Sequence, residues 1–340
     1  GSENIIKCGS YAGNGVADGP EVSLGWEPQY LLIKASSRAS GWYIQDTMRG
    51  IPTGGANAKV QAQEANAEAV STSNMNCDVT ADGFKITSSS VISNGSGQTY
   101  IYMAIRRPMK TPTAGTEVFN AVLTSSDTSG ATGFPINIGF PVDLAHVKYT
   151  TLGVDSLFLN RLTGLTANIG QGMLRTDTSA AEASTGEVFS GDSNTGYKIY
   201  GHNYQRICYG FKRAAGFMDV VAYTGTGAGL NVAHNLGVAP EMIWVKNRDS
   251  SYSWTVYAAP LGTSSWLYLD TASAASTANN PGFNAIGDTT FGVGSSVAVN
   301  GNTQGILAYL FATLAGVSKV GNYTGTGADL NVDCGFTAGA

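Results

Sequence analysis

Three histidines (His146, His202 and His234) and four cysteines (Cys8, Cys77, Cys208 and Cys334) are the residues here best suited to acid–base, nucleophilic or metal chemistry. None stands at a ligand spacing, since C-x-x-C and H-E-x-x-H are both absent. The nucleophile elbow G-x-S-x-G and the phosphate loop G-x-x-x-x-G-K-[ST] are absent too. Gly225-Thr226-Gly227 lacks the strand–helix context of a dinucleotide site and reads as a turn. Among carboxylates, Asp46 with Arg49 reads as a surface ion pair. Glu64 and Glu68 would share one face only if residues 58–70 were helical. Glycosidase-type chemistry needs two carboxyls within about 5–10 Å, and Glu68 and Glu182 lie far apart in the sequence. Arg106-Arg107 and Lys212-Arg213 read as solvated strand ends. Catalytic, cofactor-binding and metal-ligating residues are therefore none, and ligand-binding residues are left unassigned.

The elements that carry these residues are repeated. Leu24-Gly25, Ile138-Gly139 and Leu236-Gly237 open three similar blocks. Nine residues after each glycine an apolar run ends in Lys34, Lys148 or Lys246, and sixteen further on stands Gly50, Gly164 or Gly262. Asn66-Ala-Glu68-Ala and Ala180-Ala-Glu182-Ala keep one offset in the first two copies. A filter follows: a site shared by the modules should recur in every copy, yet Asp46 and Arg49 become Asn160 and Thr163, then Ala258 and Leu261. Self-similarity at this period marks tandem units. The expected division is residues 1–6 as tag or linker, modules at 7–107, 116–213 and 216–314, and 317–340 as a partial fourth repeat or a closing strand. The last assignment rests on Tyr323–Val332, which repeats Tyr223–Val232 at all but one position.

Short apolar runs bounded by Gly, Pro and polar turns, such as Tyr30–Ile33 and Met242–Val245, predict strands. Asn-Gly and Thr-Gly pairs predict hairpins between them. Ala58–Val70 and Asp177–Ser184, richer in Ala and Glu, suggest helical turns. The fold expected is all-β: three tandem antiparallel β-sandwich, jelly-roll-like modules plus the start of a fourth.

Of 340 residues 44 are glycine, and only 13% are charged, with a net charge of −5. That balance does not suit electrostatic binding of nucleic acid. No apolar run is long enough for membrane insertion. Cys8, Cys208 and Cys334 align with apolar residues of other copies and are expected to be buried thiols, consistent with folding in a reducing cytosol; Cys77 falls in an expected loop. Trp42 and Trp254 are equivalent and read as core, whereas Trp26 and Trp266 have no counterpart. Aromatic faces left exposed on such sheets would suit stacking on sugar rings.

Certain segments are characteristic: Tyr11-Ala-Gly-Asn-Gly15, Tyr223-Thr-Gly-Thr-Gly227, His234–Arg248, Asp82-Gly-Phe-Lys85 followed by Gly95–Tyr102, and Gly316–Tyr323. Together they resemble repeat modules of tailed-bacteriophage virion proteins, of the tail-fibre or tail-associated structural kind. Modules one and three carry the likeness well and module two loosely, since its Ser125–Ile136 opening departs from the pattern. The resemblance implies a non-enzymatic virion component, assembled in the host cytoplasm and facing outward. Its expected partners are other virion proteins, a host-surface glycan or receptor, and further copies of itself, with a trimer as one form. Cofactors, nucleic acid and membrane insertion are not expected. The alternatives are a capsid-decorating or vertex protein and a glycan-degrading tail enzyme.

Overall fold

The computed structural model describes residues 5–71, 74–124, 133–153, 156–164, 172–184, 189–191, 193–200, 204–277 and 281–336. Module one contains β1 (Ile6–Ala12), β2 (Glu21–Ser23), β3 (Pro28–Ala35), β4 (Trp42–Asp46), β5 (Asn57–Gln61), β6 (Ala69–Ser71), β7 (Cys77–Val79), β8 (Gly83–Ile86) and β9 (Thr99–Arg106). Module two contains β10 (Phe119–Thr124), β11 (Phe134–Asn137), β12 (Leu144–Tyr149), β13 (Leu157–Asn160), β14 (Gly172–Arg175), β15 (Ala183–Ser184), β16 (Phe189–Ser190), β17 (Gly196–Ile199) and β18 (Arg206–Phe211). Module three contains β19 (Met218–Thr224), β20 (Leu230–Ala233), β21 (Met242–Asn247), β22 (Thr255–Ala258), β23 (Leu267–Tyr268), β24 (Thr290–Val293) and β25 (Gly305–Phe311).

One strand order recurs three times. The larger sheets run β1-β9-β3-β4-β5-β6, β10-β18-β12-β13-β14-β15 and β19-β25-β21-β22-β23, and the smaller ones β2-β8-β7, β11-β17-β16 and β20-β24. Every pairing is antiparallel. Each large sheet turns one face to its small sheet, because side chains alternate along a strand. Leu31, Ile33 and Ala35 thus meet Val22, Phe84 and Ile86 in a first core. Ala145, Val147 and Cys208 meet Ile136, Tyr197 and Ile199 in a second, and Ile243, Val245 and Ala308 meet Val232, Phe291 and Val293 in a third. The chain is an all-β assembly of sandwiches.

The repeated glycines have a backbone cause. Gly25, Gly139 and Gly237 have φ of 82°, 99° and 77°, and Gly50, Gly164 and Gly262 have 104°, 92° and 69°. A side chain at such angles crowds the backbone, so both columns admit glycine readily and other residues only with strain. The lysines between them keep one register: Lys34 faces Ile101, Lys148 faces Ile207 and Lys246 faces Leu307. Their surroundings differ. Lys34 Nζ bonds to Ala35 O at 3.0 Å, and Lys148 pairs with Asp177. Lys246 is fully buried, donating to the carbonyls of Asn247 at 2.8 Å and Tyr252 at 2.9 Å.

The helical turns expected over Ala58–Val70 and Asp177–Ser184 are not formed. Each stretch belongs to a sheet-edge hairpin, β5–β6 in module one and β14–β15 in module two. Pairing against a sheet already in place outweighs the modest helix preference of Ala and Glu. Glu64 and Glu68 accordingly share no helical face. Cys77 lies in strand β7, not in a loop, and is fully buried.

The start of a fourth copy is visible in its turns. The Ala214–Met218 bridge that opens module three recurs as Leu314–Ser318. Thr226 Oγ1 bonds to Ala228 O at 3.0 Å, as Thr326 Oγ1 does to Ala328 O at 3.2 Å. Residues 319–336 form no strand and do not join the large sheet of module three.

Candidate functional site: the seams between modules

The large sheet of each module has an outer face, and the three modules meet through those faces and their ends. Phe158 of module two packs at 4.9 Å from Tyr309 and 5.6 Å from Trp254 of module three. Asn160 Nδ2 donates to Tyr309 Oη at 2.8 Å, and Trp254 Nε1 to Arg175 O at 2.7 Å. Arg248 of module three reaches both neighbours. It grips the Glu182 carboxylate with two nitrogens at 2.6 and 2.8 Å and donates to Thr53 O of module one at 2.7 Å.

Where the modules join, a network of charges is buried. Arg213, 3% exposed, holds Glu27 through two bonds at 2.8 and 2.6 Å and Asp219 at 2.6 Å. Arg107 and Arg161 converge on Asp143 at 2.5 and 3.2 Å. Burial would raise the Asp143 carboxyl, but the Arg107 and Arg161 guanidinium groups outweigh it and hold the acid below its ordinary range. Burial likewise opposes the Arg213 charge, and Asp219 and Glu27 reverse that, so Arg213 stays protonated. Three cations face three anions, which is the condition for burying such a set at tolerable cost. Arg107 and Arg213 are thus interior residues, not the solvated strand ends expected. A signal existed: Asp219 interrupts the apolar run Phe217–Val221, and a charge in a buried strand implies a partner.

Two of the clefts among the described residues open on the seams. The first, of about 510 Å³, lies between modules one and two beside Tyr30, Met48, Arg107 and Arg161. Arg161 is already committed there to Asp143, Thr47 O and Gly191 O. The second, of about 490 Å³, lies between modules two and three. His146, Lys148, Ser156 and Asp177 line one side, Trp244 and Asp270 the other. His146 Nε2 is 2.7 Å from Ser156 Oγ, and both Asp177 oxygens accept from Ser156 N at 3.0 and 2.9 Å. Burial, then Lys148, pull the His146 imidazole below its usual value against the opposing pull of Asp177. The ring is therefore neutral near pH 7.

The other expected residues divide as follows. His234 is buried, accepting from Leu236 N at Nδ1 and bonding to Gly287 O through Nε2; His202 lies outside the described residues. Asp46 pairs with Arg49 at 2.6 Å, and Glu68 joins them at 3.4 Å. Glu64 makes local bonds to Gln63 and Asn66. Cys208 is buried, but Cys8 and Cys334 are exposed, contrary to expectation. Trp26, Trp254 and Trp266 are buried, while Trp42 is 38% exposed, so its equivalence with Trp254 did not make it core. No group of three His, Cys, Asp or Glu side chains suited to a metal occurs among the described residues. No curated protein and no solved structure matches the chain. One family model does, over residues 3–108 and 209–338. These stretches span modules one and three and leave most of module two unmatched, and by that match the chain belongs to the DUF7483 family, a domain of unknown function.

Proposed function

We propose that this chain is a non-enzymatic structural component of a tailed-bacteriophage particle, a tail fibre or another outward-facing part that helps to attach the particle to a host-surface glycan or receptor. The observation that carries this reading is the repetition of one sandwich topology three times in a single welded unit. A unit built by repeating one sandwich suits a load-bearing, outward-facing part, and linked copies raise the effective concentration of weak sites on a repetitive surface. Low charge and a sheet-rich interior without disulfides support a part that folds in a reducing cytosol and then works outside it. The likeness of motifs in modules one and three to phage virion repeats supports this reading. Other virion proteins and further copies of this chain are its proposed partners.

The test is electron microscopy of intact particles carrying a gold-labelled chain, with mass spectrometry of the purified particle. The expected result is the chain within the particle and the label at the tail. A label on the head would move the chain to the capsid-decorating reading. Absence of the chain from purified particles would overturn the proposal.

A further inference from the structure

We propose that the cleft between modules two and three binds a neutral saccharide, its ring stacked on Trp244 and its hydroxyls donated to Asp177 and Asp270. His146 and Trp244 hold the same position in their modules, seven residues after Gly139 and Gly237, and the packing of the modules brings both to one cleft. Both rings are fixed. Trp244 packs at 4.8 Å on Phe311 and 6.2 Å on Phe158, and His146 at 5.4 Å on Phe158 and 5.6 Å on Tyr209. A floor already held by neighbours loses little freedom when a ligand settles on it.

The wall above that floor is polar. Asp177 is aimed by Ser156 N and by Lys148 Nζ at 3.3 Å, and Asp270 by Trp254 N at 3.1 Å. Each carboxylate has acceptor sites beyond those bonds, enough for paired hydroxyls. Of the charged groups that line the cleft two are carboxylates and one, Lys148, is an ammonium, which with a neutral imidazole disfavours phosphates and acidic sugars. The Lys246 ammonium that acts on Asp270 is held behind the wall by four backbone carbonyls. A purely apolar ligand would leave the carboxylates desolvated and unpaired. What remains is a molecule with one C–H face and many hydroxyls, and the volume falls within the range of small-molecule sites. This deepens the attachment reading and rests on it only in taking the sugar to be a host-surface one.

The experiment is calorimetric titration of the whole chain with maltotriose, cellotriose, chitotriose and mannotriose, with trigalacturonate and choline as charged comparators. At least one neutral trisaccharide is expected to bind in the millimolar range or tighter. Trp244→Ala should weaken it about tenfold or more, the loss of a stacked ring. Ala272→Trp, on the exposed rim, should block binding without disturbing the packing, and Trp42→Ala should leave it unchanged. The proposal falls if none of the neutral sugars binds, if a charged comparator binds better, or if both cleft variants bind like the unaltered chain. Release of new reducing ends would also overturn it, since the site would then be catalytic. Adsorption of the chain to host cells separates the two readings. Adsorption without trisaccharide binding removes the cleft and leaves attachment; Trp244-dependent binding without adsorption does the reverse.

Discussion

The outer faces of modules one and three are built to one plan and have opposite fates. Cys8 pairs with Met103 in module one as Val220 pairs with Tyr309 in module three. Cys8 is exposed, whereas Val220 is 1% and Tyr309 0% exposed. Trp42 and Lys34 keep access to water; their counterparts Trp254 and Lys246 have none. The difference lies in what sits on top. Module two lays Phe158 against Trp254 and Tyr309 of module three, with Leu162 and Leu174 in the same cluster, and among the described residues no outward position of β1, β3, β4 or β9 belongs to a buried cluster. A repeated slot therefore fixes which way a side chain points, and the neighbouring module fixes whether it is buried.

The largest expected effect tests the seam. Arg213→Met strands Glu27 and Asp219 in the interior and should cost about 3–5 kcal/mol. Arg49→Met breaks the partly exposed pair of module one and should cost less than about 1 kcal/mol. Urea midpoints of the first unfolding transition check this, and equal shifts would refute the view that the buried network holds the modules together. The equivalent tryptophans give a second contrast. Trp254→Ala empties a fully buried site and should cost about 3–5 kcal/mol, while Trp42→Ala should change stability by no more than about 0.5 kcal/mol. A large loss at Trp42 would mean that the face of module one is covered after all.

How far the sequence reached follows the same division. The glycine columns and strands such as those at Tyr30–Ile33 and Met242–Val245 were legible, because a left-handed turn and a short apolar run between turns are local properties of a few residues. The outer faces were not legible. Cys8, Trp42 and Lys34 align with residues that are buried only because another module covers them, and covering is a property of the assembled chain. Residues 58–70 failed for a related reason, since β4 supplies the pairing edge that turns Ala and Glu into strand residues. Of the candidate site, His146 was singled out but its meeting with Trp244 and Asp270 was not, for those residues lie about a hundred positions away.

Thiol labelling sharpens the comparison without energies. Cys8 and Cys334 should react with a maleimide in the native chain, and Cys77 and Cys208 only on unfolding. Burial also pushes the Cys77 and Cys208 thiols above their ordinary pKa, Cys208 to about 11, so little thiolate is present even where reagent penetrates. Four labels on the native protein, counted by mass spectrometry, would place Cys77 and Cys208 outside the cores assigned to them.

The smallest effect is a pH slope carried by His234, which has a counterpart in neither of the other modules. Its Nδ1 accepts from Leu236 N at 3.3 Å and its Nε2 lies 3.1 Å from Gly287 O, a pattern that the neutral ring satisfies and the protonated ring does not. Burial pulls its pKa below the ordinary 6.5, and Asp219, Gly287 O and Asp288 oppose that only in part. The unfolded chain then takes up a proton at a pH where the folded chain has not, so stability falls as pH drops through 6.5. Burial lowers His146 as well, and it adds to the slope with the same sign. Asp143, held below 3.8, contributes stability that is lost only at far lower pH. Lys246, pulled by burial to about 8, adds to the slope with the same sign only at its upper edge, and Asp78, raised by burial, works against it towards the lower edge. The His234 share is therefore read from the difference between the unaltered chain and His234→Asn. Midpoints of urea unfolding should decline between pH 7.5 and 5.5, and His234→Asn, whose Oδ1 can replace Nδ1 as the acceptor, should reduce that decline. An unchanged slope in His234→Asn would show that the ring takes up its proton at the same pH folded and unfolded, and a steeper one that it is already protonated in the fold, where Leu236 N would need another acceptor.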